Sequence, residues 1–99
     1  MKSIQLIVKN SDNSCWITFE KEDTLLFLLP LGTIFEAVEN YCGAVVSHYY
    51  NEKDSKFVTN IEVTSILRFQ LEYFREELLK NGWVIKYEDK YLIFRDGCK

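Results

Sequence analysis

The chain has 99 residues, a net charge of −3, 47% apolar and 15% aromatic residues, one proline and four glycines. That is a single domain's length with enough apolar side chains for a core, and it is unlike a disordered sequence, which is poor in aromatics and rich in Pro, Ser and Glu. A mildly acidic balance of 15 acids against 12 bases disfavours a generic nucleic-acid or membrane-surface binder, which carries a basic stripe.

In chain order, Ile4–Val8 and Cys15–Phe19 are two β runs around the polar break Asn10–Ser14 and read as a hairpin. Leu25–Leu29 is apolar throughout and ends at Pro30, which forbids a long helix through this point and favours a central strand or extended segment over residues 24–31. Thr33-Ile34-Phe35-Glu36 has the spacing of a capping box, with Gly43 at the far end, and predicts a short helix over 34–42. Ala44–Tyr50 is β-branched and aromatic and predicts a strand, with Lys56–Val58 returning beside it after the solvated turn 51–55.

Thr59-Asn60-Ile61-Glu62 repeats the capping spacing and predicts a long helix from Asn60 to Lys80. Its apolar stripe would be Val63, Ile66, Leu67, Leu71, Phe74 and Leu78, with Tyr73 at the edge and Gly82 as the stop. Trp83–Tyr87 and Tyr91–Phe94 predict a second hairpin around Glu88–Lys90. The expected fold is therefore α+β. It is a small single-domain antiparallel sheet, two hairpins plus one or two further strands, packed against one long and one short helix over residues 1–99.

Met1–Gln5 opens into the first β run without the apolar stretch of a signal peptide. The most apolar run, Leu25 to Leu31, is far short of the roughly 20 residues of a membrane span. Cys15, Cys42 and Cys98 are odd in number and lack paired spacing, which fits free thiols in a reducing, cytoplasmic setting.

Catalytic patterns are sparse. His48 is the single histidine, and Cys42 and His48 are the nearest soft ligands, too few for a zinc centre. Isolated glycines at segment ends make no phosphate loop. A nucleophilic pair of Cys15 or Cys42 with His48, oriented by Asp54, has no local signature. The carboxylate pairs Glu22/Asp23, Glu76/Glu77 and Glu88/Asp89 lie beside Lys or Arg and read as solvated charge. No catalytic residue, metal site or cofactor is expected.

On the outward face of the predicted long helix, Phe69, Glu72, Glu76 and Leu79 follow one another at 3-4-3 spacing. Large apolar residues beside unpaired acids mark a surface for a basic partner, and Glu52 and Asp54 add an acidic turn. The expected function is a non-catalytic partner-binding protein: an immunity protein, antitoxin or phage-type inhibitor that neutralises a larger, basic protein such as a toxin or defence nuclease. No membrane partner is expected, nucleic acid is disfavoured, and a homodimer is compatible with the sequence. Two alternatives are a winged-helix-like DNA-binding regulator, suggested by a helix followed by a hairpin, and a small ligand-binding or enzymatic domain with a pocket lined by Tyr and Trp.

Overall fold

The computed structural model describes residues 1–9, 15–39, 41–64 and 66–89. Six strands form one sheet in the order β3-β4-β5-β1-β2-β6. Their ranges are β1 Lys2–Lys9, β2 Cys15–Glu22, β3 Ile34–Val38, β4 Tyr41–Asn51, β5 Lys56–Val63 and β6 Val84–Glu88. A 3-10 turn, Arg68–Gln70, leads into helix α1, Leu71–Lys80.

The β1/β2 hairpin pairs Leu6 with Phe19 and Val8 with Ile17. The alternation puts Ile4, Leu6, Val8, Ile17 and Phe19 on one face, all buried. At the centre β1 runs parallel to β5, with Leu6 beside Ile61 and Val8 beside Val63. Every other pairing is antiparallel. Helix α1 lies on this apolar face, where Leu71, Phe74 and Leu78 are buried at i, i+3, i+7. Phe74 meets Phe19 edge-on at 6.3 Å and Tyr41 at 5.6 Å between ring centroids. Arg75 ties the helix to β6 through Glu88, 2.7 Å away.

The helix ends as its sequence requires. Asn81 is the C-cap, Gly82 takes φ +89°, and the amides of Gly82 and Trp83 donate to the carbonyls of Leu79 and Leu78. That pair of bonds is a Schellman stop, which needs the left-handed conformation glycine adopts without strain.

The sheet is mixed rather than antiparallel, and it carries one α-helix among the described residues instead of a long and a short one. Residues predicted as the short helix 34–42 are β3 and the start of β4, with Ile34 facing Ala44 and Phe35 facing Gly43 across the ladder. The first part of the predicted 60–80 helix continues β5, where Val58, Thr59, Ile61 and Val63 are buried. α-Helical geometry begins only at Leu71, after the 3-10 turn. Residues 24–31, expected as a strand or extended segment, form no strand and pair with none. The first hairpin, the 44–50 strand and the return at Lys56 match the expectation. The second arm of the C-terminal hairpin, Tyr91–Phe94, lies outside the described residues, as does the break at 10–14.

Gly43 marks the closest approach between neighbouring strands. A Cβ there would stand 2.7 Å from the Glu62 carbonyl oxygen, 2.7 Å from Ile61 Cγ2 and 2.8 Å from Val63 Cγ2. The carbonyl belongs to a central strand and cannot step aside. Gly43→Ala should cost about 1–3 kcal/mol, the usual range for overpacking, read as a lower urea midpoint. Cys42→Ala at the exposed neighbour should stay within about 0.5 kcal/mol of wild type.

Candidate functional site

The connection between β2 and β3, residues 23–33, has to carry the chain from one flank of the sheet to the opposite edge. It crosses on the helix side, held from below by groups that share that face. The Lys2 ammonium donates to the carbonyls of Leu25 and Phe27, the latter at 3.1 Å. The His48 ring nitrogen Nε2 lies 2.7 Å from the Leu29 carbonyl oxygen. Asp23 starts the segment with its Oδ1 accepting from the Leu25 amide at 2.9 Å. Gly32, at φ +84°, ends it by turning the chain so that its amide donates to the Val45 carbonyl.

With its backbone fastened in this way, the segment turns its side chains outward. Leu26 is 100% exposed, Leu31 65% and Phe27 60%, and Ile34 at the start of edge strand β3 is 67% exposed. Leu25 and Leu28 are partly exposed as well, while Leu29 packs against the core. Beside Lys2 in the parallel register lies Phe57, whose ring meets Tyr50 edge-on at 4.9 Å. Both of these rings are about half exposed. Leu26, Phe27 and Leu31 thus leave three large apolar side chains in solvent on one short segment, which is denser than the scattered apolar residues of an ordinary surface.

Phe69, Glu72, Glu76 and Leu79 are all exposed, on the 3-10 turn and the outer side of α1. Phe69 is 79% exposed, so it does not tuck under a neighbouring segment. Glu52 and Asp54 belong to the β4–β5 turn, where Asn51 and Asp54 bond each other through the Asp54 amide and carboxylate. Asp54 borders Lys56 and Glu20 in a surface cleft, away from the outer side of the helix. The sequence pattern thus marked two separate acidic surfaces and missed the crossover loop. The signal for the loop was available: Pro30 and Gly32 break the apolar run, and proline is disfavoured inside a paired central strand.

The helix-free face of the sheet carries a set of ion pairs around the buried Val58. Glu20 accepts from Lys56 at 2.9 Å and from Ser3 at 3.2 Å, with Lys86 at 3.5 Å. Lys9 and Glu62 pair at 2.8 Å. Burial pushes the Glu20 carboxyl up, but the Lys56 hydrogen bond and charge, helped by Lys86 and Ser3, outweigh it and hold Glu20 below its ordinary 4.5. The same hydrogen bond holds Lys56 above its ordinary 10.5.

No nucleophilic constellation assembles from the candidates. Cys15 Sγ lies 3.3 Å from Thr18 Oγ1, His48 faces Leu29, and Cys42 is exposed on β4. Among the described residues no group of three His, Cys, Asp or Glu side chains converges as a metal site, and no helix is long and apolar enough to cross a membrane.

Compared with family models, with curated proteins and with solved structures, the chain matches none of them.

The Glu20 pairing sets a sign for pH dependence. A carboxyl depressed on folding stabilises above its unfolded pKa, and that contribution is lost as pH falls through the folded value. Lys56, raised on folding, stabilises below its unfolded pKa and loses that contribution as pH rises through its folded one. Glu20→Gln should therefore lower the urea midpoint at neutral pH, and the two proteins should converge as pH falls below the ordinary carboxyl value of 4.5. Urea titrations at pH 7 and pH 3 check it; a constant difference at both would show that the charge of Glu20 contributes nothing.

Proposed function

We propose that this chain is a non-catalytic binding domain of the immunity-protein, antitoxin or phage-inhibitor kind, which neutralises a larger basic protein by docking through the 23–34 crossover and the start of β3. The observation that carries this reading is the exposure of Leu26, Phe27, Leu31 and Ile34 on a segment whose backbone is fixed by Lys2 and His48. Interface cores are built from large apolar and aromatic anchors presented on rigid elements. A loop whose backbone is already held loses less conformational freedom when it docks.

Charge supports the choice of partner. The exposed Glu22 precedes the loop and the exposed Glu39 follows its apolar tip, in a chain of net charge −3. An acidic surround speeds capture of a basic protein and gives the contact a salt-dependent on-rate. The exposed outer side of α1, with Phe69, Glu72, Glu76 and Leu79, is a second contact surface under the same reading. A DNA-reading role finds less support, because α1 follows a 3-10 turn, not another helix, and carries Glu72, Glu76 and Glu77, where a recognition helix presents Lys, Arg, Asn or Gln.

The test is affinity capture from host lysate with and without nuclease, using wild type, Leu26→Asp/Phe27→Asp and Glu72→Lys/Glu76→Lys. The expected result is one stoichiometric protein that survives nuclease and is lost, by at least about a hundredfold in affinity, with the loop variant, as for truncation of a central anchor. The helix variant should weaken capture less, chiefly through the association rate. Capture unaffected by the loop variant, or recovery of nucleic acid alone, would overturn the proposal.

A further inference from the structure

Residues 24–31 cross the helix side of the sheet as a strap, and polar groups beneath and beside it are left unmet. Thr59 lies on that side of β5, with Ile4 beside it on β1 and His48 across the ladder on β4. It is fully buried, yet its hydroxyl has no hydrogen-bond partner among the described residues. Asp23, where the strap begins, is buried too. Its Oδ1 accepts from the Leu25 amide at 2.9 Å, while Oδ2 is without a partner among the described residues.

The fastening of the strap is slight by comparison. The Lys2 ammonium donates to the Leu25 and Phe27 carbonyls, and the His48 ring donates to the Leu29 carbonyl at 2.7 Å. No strand pairs with the segment. Leu29 is its inward contact with the core, and Leu26 and Phe27 face solvent. A segment with few buried apolar contacts opens locally at far smaller cost than the whole fold. A buried polar group without a partner adds to this, because it disfavours the closed arrangement by the hydration it has lost. Lifting the strap returns that hydration. Water reaches Asp23 Oδ2, and the Thr59 hydroxyl gains water or the His48 ring, since side chains paired across a ladder start about 5 Å apart at Cβ. His48 then exchanges the Leu29 carbonyl for a partner already beside it.

We infer that the crossover is a two-position strap. Latched on Lys2 and His48, it presents Leu26, Phe27 and Leu31 to a partner; released, it dismantles that surface while Thr59 and Asp23 become solvated. Its role as a switch rests on the docking reading above: a partner that binds the latched arrangement draws the strap to it, in proportion to its preference for that state. The opening itself is a property of the chain alone.

The experiment follows amide hydrogen exchange of the full chain by NMR, at Leu25 and Gly32 on the two ends of the strap and at Leu6 and Ile61 in the central strand pair. Chymotrypsin cleavage after Phe27 is the second measurement. The two strap amides should exchange together, at least about a hundredfold faster than the central pair. Thr59→Val keeps the shape of the side chain and removes the hydroxyl that only the latched position leaves unmet. It should slow strap exchange and cleavage by about fivefold or more, the usual worth of such a group. Lys2→Met keeps the stem and removes both bonds to the strap, and should speed both processes by about fivefold or more; it decides the matter if Thr59→Val fails to fold. The inference is overturned if the strap amides exchange no faster than the central pair, if folded Thr59→Val opens as fast as wild type or faster, or if Lys2→Met opens like wild type. None of these measurements needs a partner, so failure of the lysate capture leaves the strap untouched, and failure here leaves the capture result to stand by itself.

Discussion

The parallel pairing of β1 with β5 is the constraint on which the rest of the molecule depends. Two adjacent parallel strands cannot be joined by a tight turn, and here the chain between them builds both flanks before returning. It lays β2 on one side of β1, crosses the sheet, and forms β3 and β4 on the far side of β5. From β5 it then has to reach β6 beyond β1 and β2, and α1 is the element that carries it there. Since β2 is antiparallel to both β1 and β6, β6 runs the same way as β5, and the helix is the usual solution for such a connection.

Both crossings use the same face. The helix takes the part of that face lined by Phe19 and Tyr41, and the 23–33 segment takes the part near Lys2, Thr59 and His48. The helix has a full apolar stripe to bury and settles into the core. The loop has few backbone partners and a narrow strip of sheet left to it, so Leu29 goes inward and its neighbours face out. The apolar surface is thus a consequence of topology as much as of composition. The opposite face of the sheet, with no crossing on it among the described residues, carries ion pairs such as Glu20–Lys56 and Lys9–Glu62, whose individual worth at partly exposed positions is about 0–1 kcal/mol.

Much of the β architecture was legible in the sequence, because period-2 alternation in Ile4–Val8 and Cys15–Phe19 and the β-branched run from Ala44 have one reading. The helix errors share a cause. Thr33-x-x-Glu36 and Thr59-x-x-Glu62 have capping spacing, but a cap only ends a helix whose following residues gain from helical packing. After Thr59 the next residues, Ile61 and Val63, alternate inward beside Leu6 and Val8, and sheet burial outweighs a local signal worth about 1 kcal/mol. Leu71, Phe74 and Leu78 were correctly read as buried on one helical stripe, while Leu67 of the same predicted stripe lies exposed before the helix starts. Gly43, read as a helix stop, is a strand glycine demanded by close packing against β5. What could not be read was the parallel pair itself: strand order follows from long-range contacts, and nothing in the local pattern of β1 or β5 names its neighbour.

The same topology explains why the exposed segment can be apolar without being loose. Seven consecutive residues of ordinary loop would lose much of their backbone freedom on binding, at about 1–2 kcal/mol each, and an apolar tip alone could not offset that. Here Asp23, Lys2, His48 and Gly32 fix the chain at its start, middle and end before any partner arrives. The polar groups that hold the loop are turned to the sheet, and the apolar groups are turned to solvent. Folding has therefore already met much of the ordering cost of this surface, leaving the burial of Leu26, Phe27, Leu31 and Ile34 as the larger part of the free energy available on contact.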